Sequence, residues 1–320
     1  MSNFNNFNRI ILVTGGAGFI GSSLVEELIQ DATNFVVVVD NLQTGSKSKL
    51  PEAPKSNLKF IQCDVNNIGE ITSVFHTFSF DYVFHYAALV GVQRTLQNPV
   101  RVLNDITGIK NILDLSKNTG VKRVMYASSS EVYGEPVEFP QNEETTPLNS
   151  RLPYAIVKNV GEAFLKSYKQ EYGLDYTIFR FFNTFGPKQS KDFVISKFIN
   201  AALKNEDITI YGEGTQTRTF CFVKNNVQAC INAAFSDEHA NDTINIGNNQ
   251  ETQIIELAKL IISLTNSSSK IVYLPPLPEG DMTRRHPDIS KMKLLLSNQE
   301  LMGLEEGIKE ILKNTSYILQ

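Results

Sequence analysis

Two stretches of this chain, about 140 residues apart, hold residues whose types and spacing could do chemistry. Val13-Thr14-Gly15-Gly16-Ala17-Gly18-Phe19-Ile20-Gly21 spaces its glycines as a turn that holds a dinucleotide pyrophosphate does. Tyr154-Ala155-Ile156-Val157-Lys158 places a phenol and an ammonium one helical turn apart, with Ser128-Ser129-Ser130 upstream. An unperturbed phenol titrates at about pH 10 and is a poor base at neutral pH. A lysine cation on the same helix face, with an oxidised nicotinamide, would favour the phenolate and lower that value. Ser129 or Ser130 could hydrogen-bond the same substrate oxygen. The set suits removal of a hydroxyl proton while a hydride leaves the same carbon.

The glycines have separate reasons to be there. One permits the tight turn, one lets the backbone approach the pyrophosphate, and one lets the following helix lie close to the strand. Free amides and the positive dipole end of that helix would face the phosphates. Asp40 follows Gly21 by 19 residues, at the end of a second apolar run. A carboxylate there accepts hydrogen bonds from an adenosine ribose and repels a 2′-phosphate, which favours NAD over NADP. Asn41–Leu50 contains no arginine, although Lys47 and Lys49 lie within it.

These residues need a scaffold, and the pattern of the chain provides one. Arg9–Thr14 and Phe35–Asp40 are nearly continuous apolar runs, as in strands buried on both faces. Further strands are expected at Leu58–Cys63, Tyr82–Ala87, Arg123–Ser128 and Tyr176–Phe181. Helical spacing covers residues 19–30, Val100–Asn118 and Tyr154–Tyr172. Alternating strands and helices predict a doubly wound parallel α/β sheet of the Rossmann type. After Gly186-Pro187 the rhythm changes. Val194–Asn205 and Thr252–Leu264 read as helices, Asp207–Tyr211 and Thr219–Val223 as strands, and Pro275–Gly280 as a loop. A division into a cofactor domain, 1–186, and a smaller mixed α/β substrate domain, 187–320, follows, with some late segments able to return to the large sheet.

Composition excludes several other classes. The net charge of −4 gives no electrostatic reason to expect nucleic acid or an anionic membrane as partner. No apolar run approaches the roughly 20 residues of a membrane span. The start, MSNFNNFNRIILVTGG, reads as a polar tail and a first strand rather than a signal peptide. Cys63, Cys221 and Cys230 are scattered, as expected of reduced thiols in a cytoplasmic protein. The four histidines have no metal-ligand spacing, so no metal is expected.

In this order, TGGAGFIG, Asp40-Asn41-Leu42, Cys63-Asp64-Val65, His85-Tyr86-Ala87-Ala88, SSSEVYG, YAIVK, RFFNTFGP and Gly214–Arg218 resemble the extended short-chain dehydrogenase/reductase family. The resemblance is to its NAD-dependent nucleotide-sugar epimerase, dehydratase and decarboxylase branch, and it spans nearly the whole chain. It implies that Gly15, Gly18, Phe19, Ile20, Gly21, Asp40 and Asn41 hold NAD, with Asp64 and Val65 at the adenine. Ala87 and Ala88 would line the cofactor, and Lys158 would also bind the nicotinamide ribose. Ser129, Tyr154 and Lys158 would be catalytic. Asn183 and Arg218 would grip a substrate diphosphate, Tyr211 would sit by the nucleotide base, and Arg284 or Arg285 would give a second basic contact. A homodimer through the helices at Val100–Asn118 and Tyr154–Tyr172 is a further implication.

Within that branch the sequence favours 4-epimerisation of a UDP-hexose, because Val90-Gly91-Val92-Gln93-Arg94 is similar to the epimerase loop. The 4,6-dehydratases share Glu131-Val132-Tyr133-Gly134 but place an aspartate where Ser130 stands. UDP-glucuronate decarboxylases share Ser130–Gly134 and an Arg-x-Pro-Asp-Ile pattern, here Arg285-His286-Pro287-Asp288-Ile289. Glu131 therefore reads either as a catalytic carboxylate or as a polar residue that orders the strand end. Other departures are Asp105 where the family has asparagine, Pro278 for arginine, and Lys224-Asn225 for two aspartates. The C-terminal stretch Ser297–Gly303 also lacks the family's usual turn. A non-enzymatic NAD-binding sensor would need only the glycine turn and Asp40, and joint retention of Ser129, Tyr154 and Lys158 argues against it.

Overall fold

Runs of Val, Ile, Leu and Phe pair side by side into one seven-stranded sheet. The computed structural model describes residues 6–52, 55–276, 284–313 and 315. In chain order the elements are β1 (Arg9–Thr14), α1 (Phe19–Leu28), β2 (Asn34–Asp40), β3 (Leu58–Gln62), α2 (Ile68–Thr77), β4 (Tyr82–His85), α3 (Val92–Gln97), α4 (Pro99–Leu103), α5 (Asp105–Thr119), β5 (Arg123–Ser129), α6 (Pro153–Tyr172) and β6 (Asp175–Phe181). There follow β7 (Thr184–Phe185), α7 (Val194–Leu203), β8 (Ile208–Tyr211), β9 (Thr217–Thr219), β10 (Cys221–Phe222), α8 (Val223–Ala234), β11 (Asp242–Ile246), β12 (Glu251–Gln253), α9 (Ile254–Thr265), β13 (Ile271–Leu274), α10 (Ser290–Leu295) and α11 (Leu304–Lys313).

The large sheet runs β3-β2-β1-β4-β5-β6-β11, a Rossmann-type order that reverses direction at β1. Its described pairings among β1 to β5 are parallel. The register aligns Val39, Thr14, His85 and Tyr126 in one row across β2, β1, β4 and β5. Whatever follows that row therefore leaves the carboxyl ends of the strands together: the glycine turn, Asp40, Ala87 and Ser129. Every residue of β2 is buried, as a central strand with covered faces requires. Leu12, Val37, Val83 and Val124 join Ile109, Ile112 and Leu165 in one core beneath α5 and α6.

The chain forms two compact units. The first comprises residues 1–132, 151–180 and 227–244, and the second 133–150, 181–226 and 245–320. A single cut after residue 186 does not describe this. Residues 133–150 belong with the later segments, while most of α8 and β11 belong with the sheet. In the second unit β8 pairs in parallel with β13, β9 antiparallel with β12, and β10 in parallel with β7.

Two expected elements are divided. The helix expected at Val100–Asn118 breaks at Asn104, because the Gly108 amide donates to Asn66 Oδ1 at 2.9 Å instead of continuing the helical ladder. The strand expected at Thr219–Val223 bends at Phe220, since β9 and β10 pair with different partners and Val223 already opens α8. The loop expected at Pro275–Gly280 lies outside the described residues from Leu277 onward, and so does Pro278.

Candidate active site

Gly15 has φ +67°, and a Cβ on it would stand 2.7 Å from the Ala87 backbone. Only glycine permits β1 to turn while pressed against the end of β4. A Cβ on Gly21 would overlap the Gly15 carbonyl, so this glycine lets α1 close onto the turn. Gly18 caps α1 with no side-chain hydrogen bond, which leaves the opening amides around Phe19 and Ile20 for an anion. Asp40 is buried, and its carboxylate accepts from Ala17 N at 3.0 Å and Leu42 N at 2.8 Å. Each oxygen keeps a second lone pair for a ribose hydroxyl. Burial raises the Asp40 pKa, while those two amides and Lys49 oppose the rise. Asp64 accepts from Asn41 Nδ2 at 3.0 Å and from Asn66 N at 2.9 Å, which fixes Val65 beside α5. Ala87 N donates to Thr14 Oγ1 at 3.3 Å, and Ala88 follows it in the loop after β4. The turn, the uncapped helix end and the buried carboxylate fit a dinucleotide.

Pro153 at the first turn and Gly173 just past the last bound α6. Its 20 residues carry Tyr154 and Lys158 on one face. Lys158 is buried, and its Nζ donates to the Ala127 carbonyl of β5 at 2.6 Å, two residues before Ser129. Nζ also lies 5.6 Å from the Tyr154 ring centre and 5.1 Å from that of Tyr126. Burial pushes the Lys158 pKa down to about 8, against the charge of Asp105. The ammonium is thus still the main form at neutral pH. Ser129 and Ser130 are buried at the end of β5. Ser129 Oγ accepts from the Glu131 amide at 3.2 Å, which ties the end of β5 to the 3₁₀ turn Ser130–Tyr133 that carries Glu131.

Three neighbours of this centre were not among the candidate catalytic or binding residues, although Asp105 stood out in the sequence as a departure from the family's asparagine. His85 Nδ1 shares a 2.8 Å hydrogen bond with Thr14 Oγ1, and burial, then the Lys158 charge, pushes its pKa down to about 3. His85 is therefore neutral. Asp105 Oδ2 accepts from Leu89 N at 2.7 Å, and burial raises its pKa. Glu162 continues the Tyr154–Lys158 face by another turn, a spacing that was readable from sequence.

The remaining candidates stand in the second unit. Asn183 Nδ2 donates to Thr219 O at 3.1 Å, and Tyr211 ends β8 with Lys197 Nζ 5.6 Å from its ring centre. Arg218 is buried in β9, with NH1 on Thr217 O at 2.7 Å. The choice between the two C-terminal arginines acquires a structural basis. Arg284 is exposed and engaged bidentately by Glu251 at 2.6 and 2.8 Å, over the Phe139 ring. Arg285 is buried. Its segment is pinned by Gln141 N on His286 O at 2.7 Å and by Asn245 Nδ2 on Asp288 O at 3.2 Å. Asn245 also accepts from Tyr133 Oη and donates to Gln141 O.

Among the described residues no cluster suited to a metal occurs, and no helix is long and apolar enough to cross a membrane.

This fold, with its glycine turn and Asp40 at the carboxyl ends of the strands, defines a Rossmann-type nucleotide-cofactor protein. The sequence pattern of the NAD dependent epimerase/dehydratase family matches residues 11–247, and the chain belongs to that family, with NAD as its cofactor. UDP-N-acetyl-alpha-D-glucosaminuronate decarboxylase of Bacillus cytotoxicus is 38% identical over 320 residues, covering 94% of this chain and 96% of that protein. UDP-glucuronic acid decarboxylase 1 of Danio rerio is 36% identical over 318 residues, 97% of this chain and 73% of that protein. The crystal structure of UDP-glucose 4-epimerase with UDP-glucose from Thermotoga maritima superposes with a TM-score of 0.88 at 34% identity, covering 95% of this chain and 97% of that one.

Proposed function

We propose that this enzyme removes the carboxylate of a UDP-linked hexuronate through a 4-keto sugar. The observation that carries the reading is the hydrogen bond from the Glu131 amide to Ser129 Oγ, which sets Glu131 two residues past the end of β5, beside the serine. The two decarboxylase relatives, matched over 97% and 94% of this chain, support it. Bound NAD supplies the acceptor, and later the donor, of the C4 hydride. Tyr154 takes the proton of the 4-hydroxyl, with Ser129 donating to the same oxygen and the Lys158 cation favouring the phenolate. A ketone at C4 makes the sugar acid a β-keto acid. Its C5–C6 bond breaks to carbon dioxide, because the electron pair left at C5 delocalises into the ketone. C5 then takes a proton, which we assign to Glu131. Tyr154 returns its proton to the 4-oxygen and a UDP-pentose leaves. Arg218, Arg285 and Asn183 hold the diphosphate in this reading, Arg bidentately, and Tyr211 lies at the base.

A second reading, the 4-epimerisation favoured by sequence, shares the first half. It is supported by the Thermotoga maritima superposition. There the ketone is reduced from the opposite face and no carbon is lost. Incubation with UDP-glucuronate, UDP-N-acetylglucosaminuronate, UDP-glucose and UDP-N-acetylglucosamine, followed by NMR of the sugars, separates the two. A pentose product with carbon dioxide supports decarboxylation; a 4-epimer without added NAD replaces it with epimerisation. If all four sugars are recovered unchanged, both readings fall. A homodimer through α4, α5 and α6, on which Val100 and Ile156 are exposed, is part of the proposal and is checked by light scattering.

A further inference from the structure

Glu162 takes no part in the chemistry above, yet it is almost wholly enclosed. Its side chain and that of Arg180 on β6 are each 2% exposed. Arg180 donates to it twice, Nε to Oε1 at 3.0 Å and NH2 to Oε2 at 2.7 Å. Ser128 Oγ donates to Oε1 at 2.5 Å. A buried ion pair of this kind is weak evidence for stability, because desolvation offsets most of the attraction. What it supplies without offset is direction, since three hydrogen bonds from two strands converge on one carboxylate.

The contacts of α6 along β5 advance one residue at a time. Gly161 lies on Tyr126, where a Cβ would overlap the hydroxyl. Lys158 reaches the Ala127 carbonyl, and Glu162 meets Ser128. Ser129 is the next residue. Tyr154, Lys158 and Glu162 share one helix face at successive four-residue steps. Tyr154 thus lies one turn before Lys158 and two before Glu162, on a helix that also packs Val157 and Leu165 into the core. With side chains about 6 Å from the axis, a turn of about 10° would move the Tyr154 hydroxyl by about 1 Å. A misplacement of about 1 Å can cost roughly 100-fold in rate.

We propose that Glu162, held by Ser128 and Arg180, is a positioning residue that sets the rotation and register of α6 on β5 and so places Tyr154 against Ser129. The proposal rests on the reading of Tyr154 as the acid-base group. The test is the double variant Glu162→Met with Arg180→Met, which removes both charges and keeps comparable volume. It should fold and retain NAD. Its kcat should fall at least 10-fold, while KM for the nucleotide sugar stays within about 3-fold of the parent. An activity-independent readout accompanies it: ultraviolet titration of the Tyr154 phenol in the NAD-bound protein, with Tyr154→Phe as blank. Lys158, Asp105 of α5, His85 of β4 and Tyr126 of β5 are the titratable groups around the Tyr154–Lys158 pair. All remain in the double variant, and the two charges it removes, Glu162 and Arg180, are opposite and paired, so an upward shift of the phenol midpoint reports displacement from Lys158. Unchanged kcat with an unchanged midpoint overturns the proposal. Should the parent convert no UDP-sugar, the functional reading fails, and the phenol midpoint alone decides the positioning. Should the double variant not fold, Ser128→Ala, which buries no new charge, is judged by the same two readouts, with a smaller shift expected.

Discussion

Replacing Lys158 with Met should make the NAD-free protein more stable at neutral pH while abolishing turnover. Burial moves the Lys158 pKa from 10.5 to about 8. At about 1.4 kcal/mol per unit, the folded state carries a burden of about 3 kcal/mol for holding this ammonium. Methionine removes the burden. It also removes the hydrogen bond to Ala127 O, about 1 kcal/mol. Asp105 loses its cationic neighbour as well, which subtracts a further part. A gain of about 1–2 kcal/mol remains. The sign with pH is fixed. Between about 8 and 10.5 the unfolded chain binds more protons than the folded one, so the parent gains stability as pH rises through that window. The variant has no such gain, and its advantage at pH 7 should vanish as pH rises toward 10.5. Denaturant unfolding of both NAD-free proteins across that range is the assay. A variant less stable than the parent at pH 7, or a difference that ignores pH, refutes the reasoning.

Gly15→Ala should cost about 1–3 kcal/mol through its positive φ alone and should release NAD, because the added Cβ drives the turn off Ala87; melting and cofactor content measure both. Arg285→Ala should raise KM for the UDP-sugar at least 10-fold, whereas Arg284→Ala, which loses an exposed pair with Glu251 and the contact with the Phe139 ring, should change it less than 2-fold. Asn245→Ala leaves the Tyr133 hydroxyl and the Gln141 and Asp288 carbonyls without this partner. A loss of about 3 kcal/mol in denaturant unfolding is expected, together with weaker binding of a UDP-sugar.

The strands were readable because parallel strands buried on both faces are written as unbroken apolar runs. Phe35–Val39 could hardly be anything else, and β2 begins one residue earlier than expected. The glycine turn and Asp40 were readable because their spacing has few other uses. Less was visible where one side chain replaces another's backbone partner. Nothing local to Asn104 announces that Gly108 will bond Asn66, a residue 42 positions away. Arg284 and Arg285 were likewise indistinguishable as adjacent identical side chains, since what separates them is the distant Glu251 that engages Arg284 and the burial of Arg285. Glu162 was missed although its spacing from Lys158 was plain, because a carboxylate on a helix is usually solvated.

The interleaving of the two units bears on how such an enzyme could be re-engineered. β11 closes one margin of the large sheet after the chain has left it and come back. Cutting the gene at the end of β6 would strip that margin and most of α8, exposing a row of unpaired backbone groups ready to join another chain. Exchange of sugar preference between relatives by swapping C-terminal halves would transplant a piece of the cofactor-binding sheet along with the specificity. Hybrids should instead be made by grafting residues 133–150, 181–226 and 245–320 as separate inserts, which leaves the first three residues of the donor's β11 and most of its α8 behind.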